Sequence, residues 1–306
     1  MEWTNVALRF ALYVDLMLLF GVPAFALHAL RGAERSGAVA ARFIQLVRGA
    51  AGLGLLLSLG SLVLMAKEMT GAETFAELEL HVFQILVAGT DYGLAWAVRM
   101  AALVLVLFGS FLATKRGTLQ FAVLTGAGAI ALGGLAWTGH GAMDEGVRRV
   151  LHLGTDMLHL LAAGTWFGAL VSFVLLAALD TRGVDDRMRL LGRTAVGFAA
   201  VGTGVVVVLM LTGVVNYLLI SGWVWPSVRT LYVRLLAVKV AIFCGMLLLA
   251  AANRWRLSPR LAIATGSDRL AALHALRSSL FFESSCAVTI LILVAWIGTL
   301  SPDAGP

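Results

Sequence analysis

The sequence predicts an all-α integral membrane protein, a bundle of eight transmembrane helices with both chain termini outside the cell membrane. Its 306 residues are 60% hydrophobic and only 13% charged, and the mean hydropathy is +0.93. Soluble domains contain roughly a quarter charged residues, and here the apolar residues form long runs. The composition therefore argues against two soluble domains and for a chain that is embedded in lipid.

Eight stretches are long and apolar enough to cross a membrane, which requires about 20 mostly apolar residues each. They make the chain, 1–306, a single membrane domain, and they cover approximately 5–29, 45–66, 93–113, 118–139, 150–179, 194–220, 230–252 and 280–300. Between the second and third stretches, Phe75, Leu78, Val82 and Leu86 recur at helical spacing. This pattern predicts an amphipathic helix over about 74–88 that lies on the membrane surface.

The distribution of basic residues predicts the orientation of these spans. One set of loops holds 15 of the 23 Lys and Arg residues: Arg31, Arg35, Arg42, Arg48, Lys115, Arg116, Arg182, Arg187, Arg189, Arg193, Arg254, Arg256, Arg260, Arg269 and Arg277. Loops rich in Lys and Arg normally stay in the cytoplasm, so both termini are predicted outside, which is the periplasm of a bacterial inner-membrane protein. The net charge of +6 reflects these loops and membrane lipid, and it does not indicate nucleic-acid binding.

Ionisable residues within the spans are candidates for function, because an unpaired charge in a bilayer costs several kcal/mol. Asp15 and Lys239 each lie about ten residues from the outer face, so they could form an ion pair. Glu283 lies near the inner face of the last span. These three residues are predicted to form either a polar relay or a structural ion pair.

The segment TGHGAMDEGVRRVLHLGTDMLH, residues 138–159, gathers three of the 6 histidines of the chain. His152, Asp156 and His159 are spaced i, i+4 and i+7, which places them on one face of the fifth span. The same face continues inward to Trp166. This polar stripe at the outer end of an apolar helix predicts a metal or cofactor site.

Further candidate ligands flank the stripe. His140 ends the fourth span, Met143 and Asp144 lie in the short connection, and Trp137 and Trp166 would line the site. Imidazole is a ligand for Cu(II) and thioether favours Cu(I), so the combination suits copper, although spacing alone does not name the metal. Asp156 could instead orient an imidazole by a hydrogen bond.

Haem b is an alternative cofactor, since histidines of neighbouring helices can supply both axial ligands. His152 and His159 lie on one helix and cannot both face the same iron, so His140 or His81 would have to partner one of them. The sequence contains no P-loop, no phosphorylatable aspartate motif of pump ATPases, no Cys-x-x-Cys and no nucleophile elbow. An enzymatic activity is therefore less favoured than transport or metal binding.

Several segments together resemble the copper resistance protein D family of bacterial inner-membrane proteins. They are GTDYGLAWAVRM, TGH, DMLHLLAAGTWFGAL, LMLTGVVNYL, TLYVRLLAVKVAIFCGMLLLAAANRWRLSPRL and LRSSLFFESSCAVTILILVAWIGTLSP. The resemblance covers about residues 85–302, and its polar motif residues correspond to His140, Asp156, His159, Trp166, Asn253, Arg254 and Glu283. One position differs, since Gly141 stands where the resemblance leads us to expect Ala.

The resemblance implies an eight-span protein that handles copper, generally as an importer, with a small periplasmic copper-binding protein of the copper resistance protein C type acting in trans. Three functions remain open on the sequence: copper transport without ATP, electron transfer by a haem b protein, and a membrane copper chaperone that does not transport.

Overall fold

The computed structural model describes residues 3–112, 117–178, 184–222, 230–257 and 266–300, and within these ranges it contains helices and no strand. The α-helices are α1 (Trp3–Ala29), α2 (Ala38–Thr70), α3 (Leu80–Gly89), α4 (Asp91–Gly109), α5 (Gly117–Gly133), α6 (Gly146–Ala178), α7 (Val184–Ser221), α8 (Leu231–Ala252) and α9 (Gly266–Ile297). Short 3₁₀ turns occupy Gly32–Ser36, Phe75–Glu77, Gly134–Thr138 and His140–Met143, and a π-helical turn, Asn253–Leu257, continues α8.

Eight of these helices are long and apolar enough to cross a membrane, which confirms the eight predicted spans. Several extend well beyond the predicted bounds: α2 begins at Ala38, α7 at Val184 and α9 at Gly266. Hydropathy detects only the part of a helix within hydrocarbon, whereas backbone hydrogen bonds carry the helix on into polar sequence. The fourth span ends in the 3₁₀ turn Gly134–Thr138.

The prediction of a surface helix over 74–88 is wrong about where the helix begins. Its first residues form a separate 3₁₀ turn, and α3 begins only at Leu80. Glu77 explains the break, because its carboxylate accepts hydrogen bonds from the backbone of Glu73 at 3.1 Å and the hydroxyl of Thr74 at 2.7 Å. These hydrogen bonds stabilise a local turn, so the helix does not continue through this segment. Further along α3, Val82 and Leu86 are buried as the spacing predicted.

Helix α1 lies at the centre of the bundle and packs against α2, α5, α6 and α9. Glycines allow its closest approach, which is to α6. A Cβ atom added at Gly21 would lie 2.0 Å from the carbonyl oxygen of Gly164, and one added at Gly168 would lie 2.3 Å from the Cα atom of Gly21. This contact fixes the rotation of α6 relative to the central helix, and with it the direction in which the histidine face of α6 points.

The bundle has two distinct ends. At the terminal end, where α1 begins and α9 ends, the rings of Trp3 and Trp296 are 5.7 Å apart. The 3₁₀ turns of 134–143 lie at the same end, because Arg9 donates hydrogen bonds to the carbonyl of Thr138 at 3.5 Å. At the opposite, basic end, Arg193 forms an ion pair with Glu34 at 2.6 Å.

Candidate functional site

The first candidate ligand, His152, is held by an acidic residue, Asp144, of the segment that connects the 3₁₀ turn His140–Met143 to α6. Its Nδ1 atom lies 2.7 Å from Oδ2 of Asp144, whose other oxygen accepts from Nε of Arg148 at 3.1 Å. A carboxylate only accepts hydrogen bonds, so Nδ1 of His152 carries the proton and Nε2 carries the lone pair in the neutral ring. The side chain of His152 is 2% exposed, and its Nε2 atom has no hydrogen-bond partner among the described residues.

Gly141 lies flat against the ring of His152. A Cβ atom at this position would be 3.0 Å from Cγ of His152 and 3.3 Å from its Cβ and Cδ2 atoms. These distances are tighter than ordinary van der Waals contact, so an alanine here would displace the imidazole. The glycine that departs from the expected alanine thus lets the 3₁₀ turn approach the candidate ligand closely.

The second candidate ligand, Asp156, faces His152 one helical turn further along α6. Its Oδ2 atom lies 4.0 Å from Nε2 of His152, and its Oδ1 atom accepts a hydrogen bond from Nδ2 of Asn216 at 2.6 Å. Gly139 leaves space beside Oδ2, since a Cβ atom at that glycine would lie 3.5 Å away. The side chain of Asp156 is 23% exposed, so it is not sealed inside the bundle.

The third candidate ligand, His159, is oriented by α7. Its Nδ1 atom lies 2.8 Å from the hydroxyl of Thr212, and that hydroxyl donates to the carbonyl of Val208 at 2.6 Å. A hydroxyl has one hydrogen to donate, so it accepts from Nδ1 of His159, and Nε2 is left with the lone pair.

His152, Asp156 and His159 therefore share one arrangement. In each, one polar atom is fixed by a neighbour, and the other atom keeps its lone pairs free for a ligand. Metal-binding histidines and carboxylates in proteins are held in this way, because the outer hydrogen bond fixes the orientation of the ring or carboxylate. In a histidine, donation from one ring nitrogen also increases the basicity of the other.

Lys239 of α8 completes the polar group at this end of the bundle. It lies close enough to Asp156 and His159 to interact with both electrostatically. Asp15, its predicted partner, lies elsewhere: it is 3% exposed and points toward α2, where a Cβ atom at Gly54 would be 2.5 Å from its Oδ2 atom. The structure thus brings Lys239 to the histidine face and does not bring Asp15 and Lys239 together.

The other predicted site residues lie outside this group or at its edge. Met143 is 77% exposed and Trp137 is half-buried. Trp166 lies roughly 15 Å further along α6 than Asp156. His140 begins the 3₁₀ turn His140–Met143, and its side chain lies outside the described residues. Among the side chains that are described, no three or more His, Cys, Asp or Glu residues form a group arranged to hold a metal ion.

Trp166 instead lines a cavity of about 310 Å³ between α6, α7, α8 and α9. Its walls are mostly apolar, with Phe173 and Phe198 among them, and Asn253, Arg254 and Glu283 add polar groups to the lining. Glu283 is 3% exposed and lies beside the side chain of Asn253. The cavity therefore begins deeper in the bundle than His159, and its wall contains a buried carboxyl group.

Sequence reasoning missed Thr212 and Asn216, which orient His159 and Asp156. A signal was present, because the two residues stand at i and i+4 within the apolar segment LMLTGVVNYL. This spacing gives α7 a narrow polar face, and its two side chains can hydrogen-bond to polar residues of an adjacent helix, here α6.

Comparison with known sequences shows the family to which the chain belongs. A family model described as copper resistance protein D matches residues 192–297, and one described as the copper resistance protein D-like N-terminal domain matches residues 1–150. The chain is 45% identical to copper resistance protein D of Pseudomonas syringae pv. tomato over 98% of its own length and 97% of that protein. The chain belongs to the copper resistance protein D family. The family match includes the first two spans, in which the sequence shows no distinctive motif.

Two more distant relatives are also an inner-membrane protein and a copper transport protein by name. Inner membrane protein YebZ of Escherichia coli (strain K12) is 27% identical over 99% of both chains. Copper transport protein CutJ of Bacillus subtilis (strain 168) is 27% identical over 79% of this chain and 44% of its own length. No solved structure matches. The protein is a multi-pass inner-membrane protein of a copper resistance and transport family.

Proposed function

We propose that the protein moves copper ions inward across the inner membrane without ATP, from a site centred on the pair His152 and Asp156, which His159 would complete when copper binds. The observation that carries the proposal is the 4.0 Å separation between Nε2 of His152 and Oδ2 of Asp156, two atoms that no other described group occupies as a hydrogen-bond partner. Bonds from a first-row metal ion to imidazole nitrogen or carboxylate oxygen are about 2 Å long. An ion between the two atoms would satisfy both bonds.

The remaining ligands would come from residues on either side of this pair. His159 offers Nε2 about one turn deeper, and His140 begins the turn that contains Gly141, which packs on His152. Imidazole and carboxylate together suit Cu(II), and movement of Met143 toward the site would add a thioether for Cu(I). Asp144 then acts as the group that orients His152, although the sequence alone proposed it as a ligand.

The proposed orientation places the terminal end in the periplasm. Arginines dominate the basic end, where Arg35, Arg48, Arg193, Arg254 and Arg277 all contact backbone or side-chain oxygens of neighbouring helices. The positive-inside rule assigns such an end to the cytoplasm. Copper would then reach His152 from the periplasm, from a small copper-binding protein of the copper resistance protein C type acting in trans.

The path inward follows the gap between α6, α7 and α8. Beyond the site it would pass Lys239 and enter the cavity of about 310 Å³, whose wall contains Trp166, Asn253 and Glu283. Lys239 supplies a positive charge beside Asp156 when copper is absent, and copper binding would displace that charge from the carboxylate. Because the sequence has no ATP-binding motif, a gradient, ligand exchange or proton coupling would drive the movement.

Reconstitution of the purified protein in vesicles tests this function. We expect the wild type to bind copper and to accumulate it inside the vesicles, and His152→Ala combined with His159→Ala to abolish both. His81→Ala is the matched control, because His81 lies exposed on α3 and pairs with Glu79 at 3.0 Å.

Each alternative function predicts a different result. Copper binding without accumulation would contradict transport and identify a membrane chaperone. A purified protein with a Soret band that His159→Ala removes would contradict a copper site and identify haem b. Stoichiometric copper binding in the double variant would show that the site lies elsewhere.

A further inference from the structure

We propose that a second, more polar cavity, at the terminal end, binds a small oxyanion between the guanidinium groups of Arg9 and Arg99. The cavity has a volume of about 80 Å³ and lies between α1, α2, α4 and the 3₁₀ turn Gly134–Thr138. It is separate from the histidine face of α6, and its proposed ligand carries the opposite charge to copper. The inference does not depend on the proposed transport function.

Arg99 is the main reason for the proposal. Its side chain is 1% exposed, and its Nε and Nη1 atoms have no hydrogen-bond partner among the described residues. The hydroxyl of Tyr92 is the one neighbour that interacts with the guanidinium within the part of the chain that the structure describes. A buried guanidinium with unused donors is costly, because both its charge and its N–H groups have lost water.

Arg9 reaches the same cavity from the central helix. Its Nη1 and Nη2 atoms contact the carbonyl of Thr138 at 3.5 Å, which is the long limit of a hydrogen bond, and its buried Nε atom has no partner in the described ranges. Two arginines from different helices therefore contribute unused donors to one cavity.

Within the described residues, neither arginine forms an ion pair. Glu68 also lines the cavity, but its carboxylate accepts a hydrogen bond from Asn5 at 2.7 Å and lies beyond ion-pair distance of both guanidinium groups. Guanidinium groups bind carboxylate and phosphate through paired N–H donors, and such charge-assisted bonds are about twice as strong as neutral ones. An oxyanion would satisfy the unused donors and balance the charge.

The size of the cavity favours an anion of few heavy atoms, such as formate, bicarbonate or inorganic phosphate. A phospholipid phosphate offers the same oxyanion chemistry, and it would need to insert its headgroup between α1 and α4. The test therefore includes both a free anion and a lipid as probes.

The experiment measures the thermal unfolding midpoint of the purified full-length protein in chloride-free buffer at constant ionic strength. Formate and inorganic phosphate are titrated in one arm, and short-chain phosphatidylglycerol in the other. We expect the midpoint to rise with anion concentration, and we expect Arg99→Gln and Arg9→Gln to weaken the apparent affinity about tenfold or more. Arg42→Gln is the control, because Arg42 is exposed at the basic end.

The outcomes distinguish a free anion, a lipid headgroup phosphate and the absence of an anion site. A rise with formate or phosphate that requires Arg9 and Arg99 supports a site for a free anion, and a rise with the lipid alone that requires both arginines supports a headgroup phosphate as the oxyanion. If Arg99→Gln fails to fold, Arg9→Gln decides, since the side chain of Arg9 is only partly buried. No rise with any probe, or an equal rise in Arg9→Gln and wild type, would overturn the proposal.

Discussion

Asp144 and His152 are joined by a hydrogen bond of 2.7 Å that links the connection before α6 to its second turn. The bond turns Nε2 of His152 toward Asp156 and determines which nitrogen of the ring is free. The carboxylate also binds Arg148, which fixes its own position. Asp144 therefore sets the geometry of the candidate site without facing the free atoms itself.

Replacing Asp144 with Asn should lower the affinity for copper about 10- to 100-fold, which is the usual cost of removing an orienting partner of a metal-bound histidine. Competition with a chromophoric copper chelator measures this change in the purified protein. Asp91→Asn is the control, because Asp91 is an exposed partner of Arg149 at the start of α4. An unchanged affinity in Asp144→Asn would mean that His152 is not a copper ligand.

Replacing Gly141 with Ala should also weaken copper binding, because the new Cβ atom would press on the imidazole of His152 at 3.0 Å. We expect a loss of about threefold to tenfold, and we expect it to disappear when His152 is also replaced. Gly154→Ala serves as the matched control, since a Cβ atom at Gly154 meets no atom within 4 Å. Equal effects of the two glycine substitutions would refute a specific role for the contact.

Replacing Lys239 with Met should raise the affinity for copper about threefold to tenfold, because it removes roughly 1 kcal/mol of repulsion between two cations. The same chelator competition detects the increase. Lys67→Met is the comparison, since Lys67 lies near the end of α2 beside the ring of Phe75. A lower affinity in Lys239→Met would indicate that the ammonium group positions Asp156 for binding.

Replacing Gly168 with Ala should destabilise the protein by about 3 kcal/mol or more, because the added methyl group overlaps the backbone of Gly21 at 2.3 Å. Thermal unfolding in detergent, or retention on size-exclusion chromatography after heating, measures the loss. Gly52→Ala in α2 should be tolerated, as its Cβ atom meets nothing within 4 Å. Similar midpoints for both variants would show that the α1–α6 contact is looser than the structure indicates.

The sequence by itself determined the eight membrane-spanning helices and the face of α6 that carries His152, Asp156 and His159. Both follow from local rules, since the length of an apolar run sets a span and the helical repeat sets a face. The break before α3 was not predicted, because it depends on hydrogen bonds of the Glu77 carboxylate that compete with helical spacing.

Tertiary structure alone decided which neighbour each polar residue meets. Asn216 and Thr212 reach Asp156 and His159 from α7, and Lys239 approaches them from α8, whereas Asp15 turns toward α2. Asp15 and Lys239 lie at the same depth in the membrane, which is why the sequence allowed them to form an ion pair. Depth does not determine the direction in which a side chain points around the helix axis. That direction is set by close packing, above all where Gly21 of α1 lies against Gly164 and Gly168 of α6.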